Sequence, residues 1–275
     1  MVEQTLQGKV AIISGSSSGI GAAIARELSS RGATVVINYP FPSLAAEAQA
    51  AIASLAQPDR ALAVEADIST KTGPAALVEA AVAKFGRLDV VVNNAALAIN
   101  LPFEEQTMAH WDSLVNLNAR GTFLLTQAAL KHICTTSSSS SPSTATATAT
   151  ATANSPRIVN VVSVSARAAP PLQTIYAGTK GMVDAFTRCW AKELPPKYPG
   201  LTVNAVSPGP TATEGFLAAG EEAMKVLQPT IDSTPAGKRM ADPSEIAYAV
   251  AFLCEERARW VNGEHLFANG GLFVD

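Results

Sequence analysis

Tyr176 and Lys180 stand four residues apart, a separation that puts a phenol and an ammonium on one face of a helix. A free phenol titrates at about pH 10, so alone it is a poor proton donor or acceptor at neutrality. A nearby cation stabilises the phenolate and brings that value toward a useful range. Together the two could pass a proton to or from an oxygen of a bound molecule. Ser163, thirteen residues before Tyr176, adds a hydroxyl. With four tyrosines and nine lysines in the chain, the spacing alone would equally suit a surface helix pair. The second chemistry-bearing stretch is Ser14-Gly15-Ser16-Ser17-Ser18-Gly19-Ile20-Gly21. Its glycines let the backbone turn tightly and approach a phosphate, and a helix amino terminus then offers free N–H groups. The order is GxxxGxG, not the GxGxxG of many dinucleotide-binding turns. Metal chemistry has no comparable signature. His110, His132 and His265 are scattered, no His or Cys pair has ligand spacing, and no metal site is expected.

These groups need a scaffold that brings positions 15, 163 and 176 to one place. Short β-branched runs at 9–14, 34–38, 61–65, 88–93, 157–162, 202–207 and 265–267 alternate with alanine-rich stretches such as 20–31, 43–55 and 75–85. Continuous apolar strands with helices between them imply a parallel sheet covered on both faces. The expectation is one doubly wound, Rossmann-type α/β domain over 1–275, its seven-stranded sheet mostly parallel. Ligands in such sheets bind beyond the carboxyl ends of the strands, and the glycine stretch falls in the first strand–helix turn, where a pyrophosphate would sit. Residues 134–156 break the alternation: almost entirely Ser, Thr, Ala and Pro, without charge, around a TATATATATA core. Half of that alternation is alanine, a poor strand former, and no bulky apolar residue offsets the entropy of ordering. A flexible surface loop is expected, on the amino-terminal edge of the sheet and away from the chemistry.

Composition narrows the class further. Twenty basic and 23 acidic residues give a net charge of −3, and charged residues make up 16% of the chain against roughly 25% in ordinary domains. Neither nucleic acid nor an anionic membrane surface is an expected partner. No apolar run approaches the roughly 20 residues of a membrane span, and the first residues lack a secretory pattern. Three distant cysteines (Cys134, Cys189, Cys254) argue against a disulfide framework and for a reducing, cytoplasmic setting.

Further stretches fall in order along the chain: Ala66-Asp67-Ile68, Asn93-Asn94-Ala95-Ala96, Asn118-Ala119-Arg120-Gly121, Ser163 with Tyr176-Ala177-Gly178-Thr179-Lys180, and Ser207-Pro208-Gly209-Pro210-Thr211-Ala212-Thr213. With the glycine turn they resemble the short-chain dehydrogenase/reductase family from Gly8 to about Gly271, the 134–156 segment lacking a counterpart. The resemblance implies an oxidoreductase with Asn118, Ser163, Tyr176 and Lys180 as catalytic residues. Tyr176 would protonate the substrate oxygen, Ser163 would orient it, and Lys180 would hold the nicotinamide ribose and lower the Tyr176 pKa. Asn118 would anchor a water relay behind Lys180. Gly15, Ser17, Ser18, Gly19, Ile20 and Gly21 would hold the pyrophosphate, Asp67 and Ile68 the adenine, Asn94 and Ala95 the adjacent ribose, Thr213 the nicotinamide carboxamide or the pyrophosphate, with Gly209 also among the cofactor contacts. Ala96, where the family usually has glycine, and Asn269 before Gly270-Gly271, where it usually has aspartate, are small departures.

After the second strand, Asn38-Tyr39-Pro40-Phe41-Pro42-Ser43 carries no carboxylate to bind a ribose diol and repel a 2′-phosphate. In the family, an Asn-Tyr ending resembles enzymes preferring NADP(H), which is favoured here over NAD(H). Its phosphate would rely on Ser17, Ser18, Asn38 and Ser43, with Tyr39 also among the cofactor contacts. The segments expected to wall the pocket, 97–103, 164–175 and 214–228, are mostly apolar apart from Arg167 and Glu214, which suggests a hydrophobic or aromatic ketone. The combination is similar to fungal-type polyketide or naphthol reductases of secondary metabolism and to acyl-carrier-protein ketoreductases. NAD-dependent alcohol oxidation and a non-catalytic nucleotide-binding regulator are the alternatives, though a regulator has no need of the acid–base set. The helix from 176 to 194 carries Ala177, Gly178, Gly181 and Ala185 beside Trp190. In the family this helix pairs across subunits, implying a homotetramer, or at least a homodimer.

Overall fold

The computed structural model describes residues 3–133, 155–218 and 220–275. The 134–156 segment therefore lies outside the described residues, except for Ser155 and Pro156. Seven strands form one sheet: β1 (Val10–Ile13), β2 (Thr34–Tyr39), β3 (Ala61–Glu65), β4 (Val90–Asn93), β5 (Arg157–Val161), β6 (Thr202–Pro208) and β7 (His265–Ala268). Their order is β3-β2-β1-β4-β5-β6-β7, and every pair is parallel, which sharpens the expected mostly parallel sheet.

Alternation along the strands explains both covered faces. Ala11, Ile13, Val35, Ile37, Val90 and Val92 face one side, where they pack with α1 (Gly19–Ser30), α2 (Ala45–Ala53) and α10 (Pro243–Cys254). Ile12, Val36, Val91, Ile158 and Val203 face the other, against α3 (Gly73–Phe85), α5 (Thr122–Ala129) and α7 (Thr174–Glu193). Each valine or isoleucine buried this way is worth about 1.5–3 kcal/mol relative to exposure. Buried Ala22, Ala23 and Ala25 let α1 lie close to the sheet, which gives the alanine-rich helices a packing role. Among the described residues no helix is long and apolar enough to cross a membrane.

Two features place the site. The strand order turns back between β1 and β4, so a crevice opens beyond their carboxyl ends. The described residues flanking the insert lie at the other edge: Ile133 bridges Leu88 just ahead of β4, and the Pro156 carbonyl accepts from Thr202 N as β5 begins. The remaining helical elements are α4 (Met108–Leu114), a π-helical turn (Val115–Gly121), α6 (Ser165–Ala168), α8 (Glu214–Leu217) and α9 (Glu221–Asp232).

Candidate active site

The turn after β1 is built by close backbone approach. Gly15 has φ +60°, and a Cβ there would lie 2.8 Å from Ala95 Cα. A Cβ on Gly21 would lie 2.3 Å from the Gly15 carbonyl oxygen and 2.6 Å from Asn94 Nδ2. Asn94 Nδ2 donates to the carbonyls of Ser14 and Gly15, both at 2.9 Å, and Ser14 Oγ accepts from Asn94 N and Ala95 N at 3.0 and 3.1 Å. The ends of β1 and β4 are thereby stitched together. Ser17 is half-buried and Ser18 exposed at the start of α1, where Ser18 caps the helix without a side-chain bond and the first turn holds no acid. Free N–H groups and unopposed hydroxyls suit an anionic pyrophosphate, so the residues present fit a dinucleotide.

Asn38 is a correction. It is 1% exposed and both ends of its amide are engaged: Oδ1 accepts from Gly15 N at 3.0 Å, and Nδ2 donates to the Ala66 carbonyl at 2.9 Å. It holds the glycine turn against β2 and β3, which leaves its amide engaged by the protein. Ser43 is exposed and Tyr39 half-buried, as contact with a ligand from this side requires. Sequence inspection of the β2 end passes over Glu65, which is exposed and is the register partner of Tyr39 on β3. Asp67 is half-buried with Oδ1 accepting from Ser69 N at 2.9 Å, and Ile68 is buried beside it. Across the crevice, a Cβ on Gly19 would lie 3.4 Å from Thr213 Cγ2, which brings the loop after β6 against the glycine turn. Thr213 Oγ1 accepts from Phe216 N at 3.2 Å and caps α8, while Gly209 packs on Asn269.

Ser163 follows β5, and Tyr176 and Lys180 project from α7. Ser163 Oγ accepts from Ser165 N at 3.1 Å and is near enough to the Tyr176 phenol to act on its pKa. Lys180, 3% exposed, donates from Nζ to the Val161 carbonyl at 2.8 Å and lies 6.0 Å from the Tyr176 ring centroid. Burial raises the Tyr176 pKa, opposed by the Ser163 hydroxyl, and it lowers that of Lys180 to about 8. Both shifts share a cause, because desolvation disfavours whichever form is charged. The raised value of Tyr176 favours the neutral phenol, the form a proton donor needs. Since the lowered group is the amine, Lys180 keeps its charge below about pH 8 and loses it above. Affinity for NADPH should be flat below that value and weaken as pH rises through it. Fluorescence titration checks this, with Lys180→Met removing the slope; an unsloped profile in the unsubstituted protein would contradict it.

Asn118 is 1% exposed within the π-helical turn. Its Oδ1 accepts from Leu97 N at 2.9 Å, and Nδ2 donates to the Leu97 carbonyl at 2.9 Å and to Thr179 Oγ1 at 3.1 Å. Both amide hydrogens are spent on the chain, so the side chain clamps the loop after β4 to α7 and has no donor left for water. Thr179 passes the link on, donating to the Tyr176 carbonyl at 2.7 Å. Sequence reasoning missed this clamp, and with it a buried ladder in which Asn93 Nδ2 donates to Asn160 Oδ1 at 2.8 Å and Asn160 Nδ2 to Thr187 Oγ1 at 2.8 Å. Polar residues inside strands that otherwise read as apolar were the available signal. Two of the expected pocket walls do meet, Leu101 N donating to the Leu172 carbonyl at 3.0 Å. Arg167, the basic exception in those walls, donates from Nε to Asp184 at 2.9 Å.

Comparison with known proteins agrees with this geometry. A family profile described as enoyl-(acyl carrier protein) reductase matches residues 15–273. The chain is 39% identical over 98% of its length to a short-chain dehydrogenase/reductase, FrzI, of Cladobotryum sp, 97% of which is covered. It is 34% identical over 98% of its length to versicolorin reductase 1 of Dothistroma septosporum, again with 97% covered. Among solved structures it resembles the angucycline C-6 ketoreductase LanV with bound NADP, at a TM-score of 0.83 and 30% identity, over 98% of this chain and 96% of that one.

Proposed function

The chain belongs to the short-chain dehydrogenase/reductase family of oxidoreductases, and on that premise we propose that it reduces an apolar, ring-bearing ketone to a secondary alcohol with NADPH. The observation that carries this reading is the grouping of Ser163, just past the carboxyl end of β5, with Tyr176 and the buried Lys180 of α7, whose Nζ donates to the Val161 carbonyl at 2.8 Å. When bound, the nicotinamide cofactor supplies a hydride to the carbonyl carbon. Ser163 donates to the carbonyl oxygen and fixes its position. Tyr176, kept neutral by burial, gives that oxygen its proton as charge develops there. Lys180 presents a cation to the phenol and to ribose hydroxyls while its Nζ is held by Val161. Gly15 to Gly21 and Thr213 would hold the pyrophosphate, Asp67 and Ile68 the adenine, and Asn94 and Ala95 the nearby ribose. The Asn118 side chain keeps the loop after β4 against α7, and the oxygens of that residue would anchor the water relay behind Lys180.

NADPH is preferred in this reading because the β2 end offers Ser43 and, across the turn, Ser18, with no acid in residues 38–43 to repel a 2′-phosphate. The ketoreductase and reductase names of LanV and versicolorin reductase 1 support the substrate class. Steady-state kinetics with a panel of aryl and polycyclic ketones tests the assignment. A higher kcat/KM with NADPH than with NADH is expected; a large preference for NADH would overturn the cofactor choice. The face of α7 that carries half-exposed Met182 adjoins Phe123, Phe186 and Trp190, with Phe186 and Trp190 stacked at 5.2 Å, which supports the homotetramer or homodimer.

A further inference from the structure

Asp184 is 3% exposed and lies on α7, four residues beyond Lys180 and eight beyond Tyr176, on the same helix face. Three groups from three directions meet its carboxylate. Arg167 Nε reaches Oδ2 at 2.9 Å, Arg188 NH1 reaches Oδ2 at 2.6 Å, and His265 Nδ1 reaches Oδ1 at 2.9 Å. A carboxylate this buried would be costly without partners, yet the arginine bonds and the His265 ring outweigh desolvation and leave Asp184 below the usual range. His265 is stacked on Phe267 at 4.4 Å, and its Nε2 is 2.5 Å from Ser207 Oγ. Ser207 is fully buried, so this Ser–His–Asp array has no route to a substrate and cannot act as a nucleophile.

The array instead joins the elements that carry the site. Arg167 lies four residues past Ser163 in α6, a helix of four residues whose backbone bonds are all local. Beyond it the chain passes through Ala169 at φ +47° and Leu172 at φ +68°, conformations that need outside support in residues with side chains. Arg167 supplies that support: Nε holds Asp184, and NH1 holds Asp275 at 2.6 Å. Ser207 and His265 tie in the end of β6, from which the loop to Thr213 departs. We propose that Asp184 is a positioning residue for the reduction, holding the Ser163 segment through Arg167 to the helix that carries Tyr176 and Lys180. This rests on the ketone-reductase reading, and it adds a residue to that site.

Paired substitutions separate positioning from plain stability. Arg167→Ala and Arg188→Ala each strip one guanidinium from the same Asp184 oxygen, but only Arg167 leads to Ser163. Arg167→Ala should lower kcat about 10-fold with little change in the dissociation constant for NADPH, since a displacement of a fraction of an ångström in a reacting group is costly. Arg188→Ala should lower the melting temperature at least as much while keeping kcat. Arg167→Lys should recover part of the loss, and Asp184→Asn should reproduce it if the variant folds. Parallel losses of kcat in the two arginine variants, or an unchanged kcat in Arg167→Ala, would overturn the positioning role alone. An unsubstituted protein that binds NADPH but reduces no ketone would remove both readings.

Discussion

Replacing Tyr176 with phenylalanine should reduce kcat for ketone reduction by between about 100-fold and 10,000-fold, the usual worth of a positioned general acid. The substitution removes one oxygen from a side chain whose ring is already packed in place beside Lys180. Burial favours the neutral phenol, so what the variant loses is the proton itself. Nothing in the glycine turn depends on that oxygen, so the dissociation constant for NADPH should hardly move. Titration by cofactor fluorescence alongside stopped-flow turnover reads the two effects separately. Undiminished turnover in Tyr176→Phe would mean that some other group protonates the substrate.

Gly21→Ala should produce the second large effect, in the opposite compartment of the site. Its added methyl would sit 2.3 Å from the Gly15 carbonyl oxygen, 2.6 Å from Asn94 Nδ2 and 2.8 Å from Ser16 Cα. Two of those contacts are backbone, and the third side chain is fixed by bonds to Ser14 and Gly15. The turn must therefore open, and the N–H groups at the start of α1 move with it. A shift of about 1 Å in such a cradle costs on the order of 100-fold, here expected in affinity for NADPH. Isothermal titration reads that loss. Binding of NADPH at unaltered strength would show that the turn does not hold the phosphates.

The fold was legible because its strands are buried on both sides. Seven apolar runs anticipated β1 to β7 within one or two residues at each end, since a covered parallel strand has no polar alternation to blur it. The Ser163, Tyr176 and Lys180 set was legible for a different reason: its residue types and order carry the family resemblance. What the sequence concealed is where polar side chains point. Asn38 ends a strand beside the glycine turn and looks available to a ligand, yet Gly15 and Ala66 take both ends of its amide. Asn118 has the right position but spends its donors on Leu97 and Thr179. Asp184 sits in a helix where an acid reads as solvent-facing, and only its burial with Arg167, Arg188 and His265 shows otherwise. Apart from Arg188, four residues on, these partners lie 17 to 81 positions away, beyond the reach of local spacing.

The same burial bears on the low charge content. Arg157 is 1% exposed, with NH1 donating to the carbonyls of Pro156 and Gly200 at 2.9 and 3.0 Å, and Arg31 is 7% exposed between Glu27 and Glu255. Some of the few charges thus lie inside the fold, which leaves still fewer for the surface. A surface so sparing of charge is consistent with the proposed subunit contacts along α7.

Transfer of deuterium is the most direct test of the proposed chemistry. The protein would be given an aryl ketone with NADPH deuterated at the nicotinamide C4 position, once on each face, and the alcohol examined by mass spectrometry. One deuterium on the carbinol carbon from one of the two labelled cofactors is the expected result, absent from the Tyr176→Phe variant over the same interval. Alcohol formed without deuterium from either label, or no alcohol from any ketone while NADPH remains bound, would contradict it.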